Sequence, residues 1–202
     1  VFERASEINQ ENAGLWTNIG FIFTKLERFR DSLEAFEKSI SLNPVQKNAW
    51  EGRDAVIARV RLCEERLRES EEALKKNPED PDTLFKIGKI HLRLGEQEKA
   101  IQAFKKALEI KPENAEAWQF RGKVLFKAGS EKEALHAFEK ATRLKPDYAE
   151  AWFEKGNAFL KLENLKGAEN AFKIAARLWD SKGIKSKAES ARDKVKRLHS
   201  SN

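Results

Sequence analysis

Residues 115–148 read AEAWQFRGKVLFKAGSEKEALHAFEKATRLKPDY. Apolar side chains recur at spacings of three and four on both sides of Ala128-Gly129, the period of a helix interrupted by a turn. Lys145-Pro146 ends the second helix, because proline lacks an amide donor and disfavours helical geometry in the residue before it. The same pattern returns every thirty-four residues: Trp16, Trp50, Trp118 and Trp152 keep register with Pro44, Pro78, Pro112 and Pro146. A unit this short cannot bury its own apolar face, so tandem copies must stack on one another and leave an extended surface rather than a catalytic pocket.

Five units follow from Ala13 without a gap: 13–46, 47–80, 81–114, 115–148 and 149–182. Gly20, Gly88, Gly122 and Gly156 stand at the eighth position, Ala100, Ala134 and Ala168 at the twentieth, and Phe36, Phe104, Phe138 and Phe172 at the twenty-fourth. Glycine facing alanine is expected to let two helix backbones approach, with the phenylalanine wedged between one hairpin and the next. The set W-x-x-(L)-G-x-x-(Y), A-x-x-x-F-x-x-A and a closing proline resembles the tetratricopeptide repeat (TPR) family. That resemblance implies an all-α solenoid of helix-turn-helix units, wound as a right-handed superhelix, with the first helix of each unit lining a concave face.

The second unit departs from the pattern. Its eighth, twentieth and twenty-fourth positions are Asp54, Arg66 and Ser70, and no glycine marks a turn within Val60-Arg61-Leu62-Cys63. Two outcomes are open: a widened hairpin in which Asp54 and Arg66 pair, or one longer helix. The retained spacing of Trp50 and Pro78 favours the hairpin. After residue 182 the motif is lost, and Ile184, Ala188, Ala191, Val195 and Leu198 lie on one helical face surrounded by lysine and arginine. This predicts a basic capping helix over 183–202, frayed from His199, rather than a membrane-surface or RNA-binding helix. Phe2 and Ala5 stand thirty-four residues before Phe36 and Ser39, so residues 1–12 are expected to be the second helix of a truncated preceding repeat in a longer parent protein.

The positions that the resemblance turns inward are the second, fifth, sixth, ninth, twelfth and thirteenth of each unit. They name a candidate partner-binding groove: Phe21, Lys25, Arg59, Phe85, Lys86, Lys89, Arg93, Phe120, Lys123, Phe126, Lys127, Phe153, Asn157 and Lys161. Aromatic anchors interleaved with cations suit an extended peptide carrying acidic and apolar side chains. The thirteenth position, Lys25, Arg59, Arg93, Lys127 and Lys161, is basic in every unit, which also suits the negative end of a helix macrodipole. Glu51, Asp82, Glu116, Glu150 and Glu154 are inward too, so a polyanion would meet repulsion. One subclass of the family grips a C-terminal carboxylate with lysine, asparagine and arginine at fixed positions of three successive repeats; no complete triplet here carries that set.

Charged residues make up 36% of the 202 and the formal net charge is +6. Residues 181–202 hold seven basic residues against two acidic ones, so most of that excess belongs to the tail and the body is near neutral. Among binding partners a protein or peptide therefore ranks ahead of RNA or another polyanion, which would use Lys86, Lys89, Arg93, Lys123, Lys127 and the tail. Self-association through an N-terminal edge bearing Phe2 and Ile8 is a further expectation. His91, His136 and His199 are far apart and Cys63 has no second cysteine, so the sequence offers no metal-ligand spacing, nucleophile motif or phosphate loop. A non-enzymatic scaffold without cofactor or small-molecule substrate is the expectation, with Cys63 as packing and a reducing, cytoplasmic setting permitted. No apolar run is long enough to span a bilayer.

Overall fold

The computed structural model describes residues 12–200, which form ten helices: α1 (Ala13–Lys25), α2 (Phe29–Leu42), α3 (Lys47–Lys76), α4 (Pro81–Arg93), α5 (Gln97–Ile110), α6 (Ala115–Lys127), α7 (Glu131–Leu144), α8 (Ala149–Lys161), α9 (Leu165–Ser181) and α10 (Lys185–Ser200). The expected helix of a preceding repeat over 1–12, and with it the Phe2 and Ile8 edge, lies outside the described residues. Two compact units are present. Among the described residues, one comprises those up to Pro78 together with Lys86–Ala100, the other Glu79–Phe85 with those from Ile101 on.

Side-chain caps start several helices. Asn12, Asn114 and Asn164 each accept an amide hydrogen from three residues ahead through Oδ1, at 3.0, 2.9 and 2.9 Å, which satisfies a donor the first helical turn leaves unpaired. The hairpin turns share one device. Glu27, Gly95, Gly129 and Glu163, thirty-four residues apart except for one missing copy, take positive φ of 54, 78, 80 and 58°. The next amide then reaches back five residues, Arg28 to Phe23, Glu96 to His91, Ser130 to Leu125 and Asn164 to Phe159, each at 2.9 Å. This is a Schellman closure. Gly183 repeats it between α9 and α10, with Ile184 N–H donating to Trp179 O at 2.9 Å.

The missing copy falls at Arg61, and there the expected hairpin is not formed: α3 is one helix of 30 residues. Val60-Arg61-Leu62-Cys63 offers no glycine to ease left-handed geometry. A hairpin would also have had to bury Asp54 and Arg66 against each other, at a desolvation penalty of several kcal/mol per ion. In the straight helix both are exposed, and Asp54 pairs with its neighbour Arg53 at 3.0 Å instead of Arg66. Ala49, Val56 and Cys63 are buried, with Val60 and Leu67 partly so, a stripe at three- and four-residue spacing that packs with Phe29, Phe36 and Ile90.

The four repeat phenylalanines, Phe36, Phe104, Phe138 and Phe172, are fully buried, as are Ala100, Ala134 and Ala168. The glycines serve these rings. A Cβ on Gly20 would stand 2.7 Å from the Phe36 ring, on Gly122 2.7 Å from Phe138, and on Gly156 2.6 Å from Phe172. Each glycine therefore abuts the phenylalanine ring of its own unit. Gly52 does the same to Phe36 from α3, at 2.5 Å. The tryptophan–proline register is a hydrogen bond: the indoles of Trp50, Trp118 and Trp152 donate to the carbonyls of Pro44, Pro112 and Pro146 at 2.9, 2.8 and 2.9 Å.

The last helix, α10, packs on α9, with Ala188 and Ala191 fully buried beside Trp179 and Ile184 packed on the same cluster. Ion pairs fasten its basic face: Lys187 to Glu150 at 2.9 Å and Arg192 to Asp180. The helix runs to Ser200, with His199 Nε2 3.2 Å from Glu169 Oε1, and the remainder of the tail expected to fray lies outside the described residues. Among the described residues no helix is long and apolar enough to cross a membrane.

Candidate interaction surfaces

The fourteen groove residues named from sequence fall on both units. In the first, Phe21 on α1 is 41% exposed while its ring packs edge-on against Phe36 at 5.1 Å, so one face rests on the core and the other meets solvent. Lys25 and Arg59 are exposed at the end of α1 and within α3. Arg93 Nε donates to Glu27 Oε2 at 2.8 Å, an ion pair between the end of α4 and the α1–α2 turn.

Lys86, Lys89 and Arg93 share a cleft with three residues of α3 that sequence reasoning did not place there: Arg66, Glu69 and Ser70. Ile90, buried, forms part of its wall, and the cavity measures about 380 Å³. Arg66 reaches this position only because α3 does not turn at Arg61. The signal was present, since Arg66, Glu69 and Ser70 stand at i, i+3 and i+4 and share one helical face. Cys63 sits nearby: burial pushes its thiol up from 9.0, against the opposing pull of Arg93 and then Arg66.

His91, also in this unit, is buried and bonded through Nδ1 to Glu96 Oε2 at 2.5 Å. A hydrogen bond from Lys99, working against burial and joined by His91, holds the Glu96 carboxyl below its usual range. Among the described residues no three His, Cys, Asp or Glu side chains gather as metal ligands would.

In the second unit, Phe85 is buried, 5.7 Å from Phe104 and 5.8 Å from Phe120, so it supports the surface rather than presenting a ring to solvent. Phe120 on α6 is half-buried and stacked on Phe104 at 5.9 Å, with Lys123 Nζ 5.5 Å over its ring. Phe126 packs on the Phe138 cluster, and Lys127 closes the helix, exposed. On the adjacent α8, Phe153 lies 5.3 Å from both Phe172 and Trp179, Asn157 donates to Glu154 at 3.3 Å, and Lys161 is exposed in the last turn. The exposed parts of these rings with their lysines form a mixed aromatic and cationic surface on α6 and α8.

The helix pattern and the sequence profiles agree. Profiles described as tetratricopeptide repeat match residues 13–46, 70–102 and 121–182, and one described as TPR repeat matches 90–129. Residues 47–69, about the first three quarters of α3, fall outside these matches. No curated protein matches the chain. Among solved structures, the chain is similar to YrrB, described as a TPR protein with an unusual peptide-binding site, at 23% identity, covering 94% of this chain and 98% of that one with a TM-score of 0.56. A thermophilic TPR protein of Thermus thermophilus is similar at 18% identity, 89% and 98% coverage and a TM-score of 0.55. The first TPR of Spaghetti bound to the HSP90 peptide SRMEEVD shows 18% identity, covering 60% of this chain and 91% of that one, with a TM-score of 0.54. Successive Schellman-closed hairpins, phenylalanines seated on glycines and matches over 13–46 and 70–182 lead to one assignment: the chain belongs to the tetratricopeptide repeat family.

Proposed function

We propose that this chain is a non-enzymatic protein-interaction scaffold that holds an extended peptide on the first helices of its repeats, without a carboxylate clamp. The observation that carries this reading is the α6 and α8 surface, where Phe120 and Phe153 rest on buried aromatic rings and Lys123 Nζ stands over the Phe120 ring. Rings braced in this way lose little conformational freedom on binding, which is what makes aromatic residues effective anchors. Similar folds in YrrB, which has an unusual peptide-binding site, and in the Spaghetti TPR bound to an HSP90 peptide support a peptide as the ligand class.

Charge bookkeeping favours peptide over RNA. In the tail, Lys182, Lys187 and Arg192 are paired with Asp147, Glu150 and Asp180, so part of the positive excess is neutralised within the fold. Selection of displayed random peptides on the whole protein tests the proposal. Acidic and apolar sequences are expected to be enriched, and enrichment is expected to collapse with Phe120→Ala plus Lys123→Glu. Equal enrichment on both proteins would refute the assigned surface, and tight capture of a free EEVD terminus, lost on amidation, would refute the absence of a clamp.

A further inference from the structure

The cleft between α3 and α4 is not a product of the repeat pattern. It exists because α3 continues through the position where each other unit turns, carrying Arg66 to a facing row of Lys86, Lys89 and Arg93. Four basic side chains and one carboxylate, Glu69, line a cavity of about 380 Å³. Like charges gathered in one cleft repel, an effect that Glu69 and the Glu27 partner of Arg93 temper. An incoming anion relieves that repulsion.

We propose that this cleft is a recognition site for a short acidic segment of a partner protein, seating one or two Asp or Glu side chains among Arg66, Lys86, Lys89 and Arg93. The cavity is near the lower end of the range of about 300–1,000 Å³ typical of ligand pockets, room for side chains and not for a folded element. Guanidinium groups at Arg66 and Arg93 suit a carboxylate, which they bind through paired N–H donors. Arg93 is already oriented through its Nε bond to Glu27. Buried Ile90 gives the acid's methylene groups an apolar wall.

The occupant is a peptide carboxylate rather than a nucleic-acid backbone because of what surrounds the cleft. Glu64, Glu65, Glu71 and Glu72 are exposed along the same stretch of α3. A phosphate chain leaving the cleft would meet these carboxylates, whereas an isolated acidic side chain delivers its charge at one point. The proposal rests on the scaffold reading only in taking a protein segment as ligand; its residues are separate from Phe120 and Lys123.

The test uses fluorescence anisotropy with a blocked, amidated peptide, Gly-Ser-Glu-Asp-Ser-Gly, its Gln/Asn isostere, and a uridine oligonucleotide, each titrated into the whole protein at low and moderate salt. The acidic peptide is expected to bind, the isostere at least tenfold more weakly. Arg66→Ala and Lys86→Ala are each expected to weaken binding at least tenfold without lowering the melting temperature, while Glu69→Gln tightens it and Lys132→Ala, an exposed lysine outside both surfaces, leaves it unchanged. Equal binding of the isostere, undiminished binding by both Arg66→Ala and Lys86→Ala, or tighter binding of the oligonucleotide would each overturn the proposal. Loss with Phe120→Ala but not Arg66→Ala would move the acidic ligand to the α6 and α8 surface, leaving the scaffold reading intact and this one refuted.

Discussion

Gly122→Ala sets two effects against each other, and the structure decides between them. In a helix interior alanine is favoured over glycine by about 1 kcal/mol. Against that gain, the new Cβ would stand 2.7, 2.8 and 3.1 Å from three carbons of the Phe138 ring, where about 3.5–4.0 Å is the optimum. Phe138 is fully buried and has no open space into which to withdraw. Overpacking of this kind costs about 1–3 kcal/mol, so the expected net is a loss of up to about 2 kcal/mol. Phe138→Leu removes the obstructing edge, and in that background Gly122→Ala is expected to be neutral or stabilising by up to about 1 kcal/mol. The sign of one substitution thus depends on the other, a coupling of about 1–3 kcal/mol readable from urea titrations of the four proteins by circular dichroism. Gly129→Ala is the control: at φ 80° with nothing within 4 Å, it should cost about 1–2 kcal/mol from backbone strain alone, equally in both backgrounds. Stabilisation by Gly122→Ala in the presence of Phe138 would refute the account of the glycine and phenylalanine register.

Tyr148 is the only tyrosine of the chain, so its phenolate can be followed by absorbance near 295 nm. Burial, then the nearby Glu116 and Glu150, push its pKa from 10.0 up to about 12. Stability from the neutral phenol is complete below pH 10 and is lost as pH rises through about 12; titration at 10 in the folded protein would contradict this. At Glu150, burial acts to raise the pKa, but hydrogen bonds from Lys187, the backbone and Trp179 outweigh it and hold the carboxyl below 4.5. Its contribution to docking α10 is therefore present above 4.5 and lost as pH falls through the lower folded value, and Lys187→Ala should weaken the acid dependence of α10 hydrogen-exchange protection factors. An identical acid profile in that variant would remove the pair from the account. Cys63 is 6% exposed with its thiol raised by burial, so an aromatic disulfide reagent at pH 8 should label it at least tenfold more slowly in the native protein than in urea. Comparable rates would contradict its burial against Ile90.

Where local signal and packing agree, the chain was legible. Phe138, Ala134 and Gly122 announce their burial by phase alone, and Trp118 with Pro112 marks a real hydrogen bond six residues long. The second unit was misread because Trp50 and Pro78 keep their spacing whether or not the helix between them turns. The signal against the hairpin lay at the packing positions, where Asp54 and Arg66 stand in place of glycine and alanine. Glycine at the turn was not itself decisive, since Glu27 and Glu163 take the same geometry. The groove residues were legible as positions but not as contacts: Phe85 is covered by Phe104 and Phe120, and Arg93 is held by Glu27, neither partner being near in sequence.

The continuity of α3 is the claim on which the acidic cleft depends. Spin labels at Asn48 and Glu71, both exposed, in a Cys63→Ala background would measure it by pulsed electron resonance. At 1.5 Å per residue an uninterrupted helix separates the two backbone sites by about 34 Å. A hairpin turning at Arg61, with helix axes about 8–10 Å apart, would bring them within about 15 Å. A single distribution centred above about 30 Å is the expected result; one centred near 15–20 Å would restore the hairpin and remove the cleft.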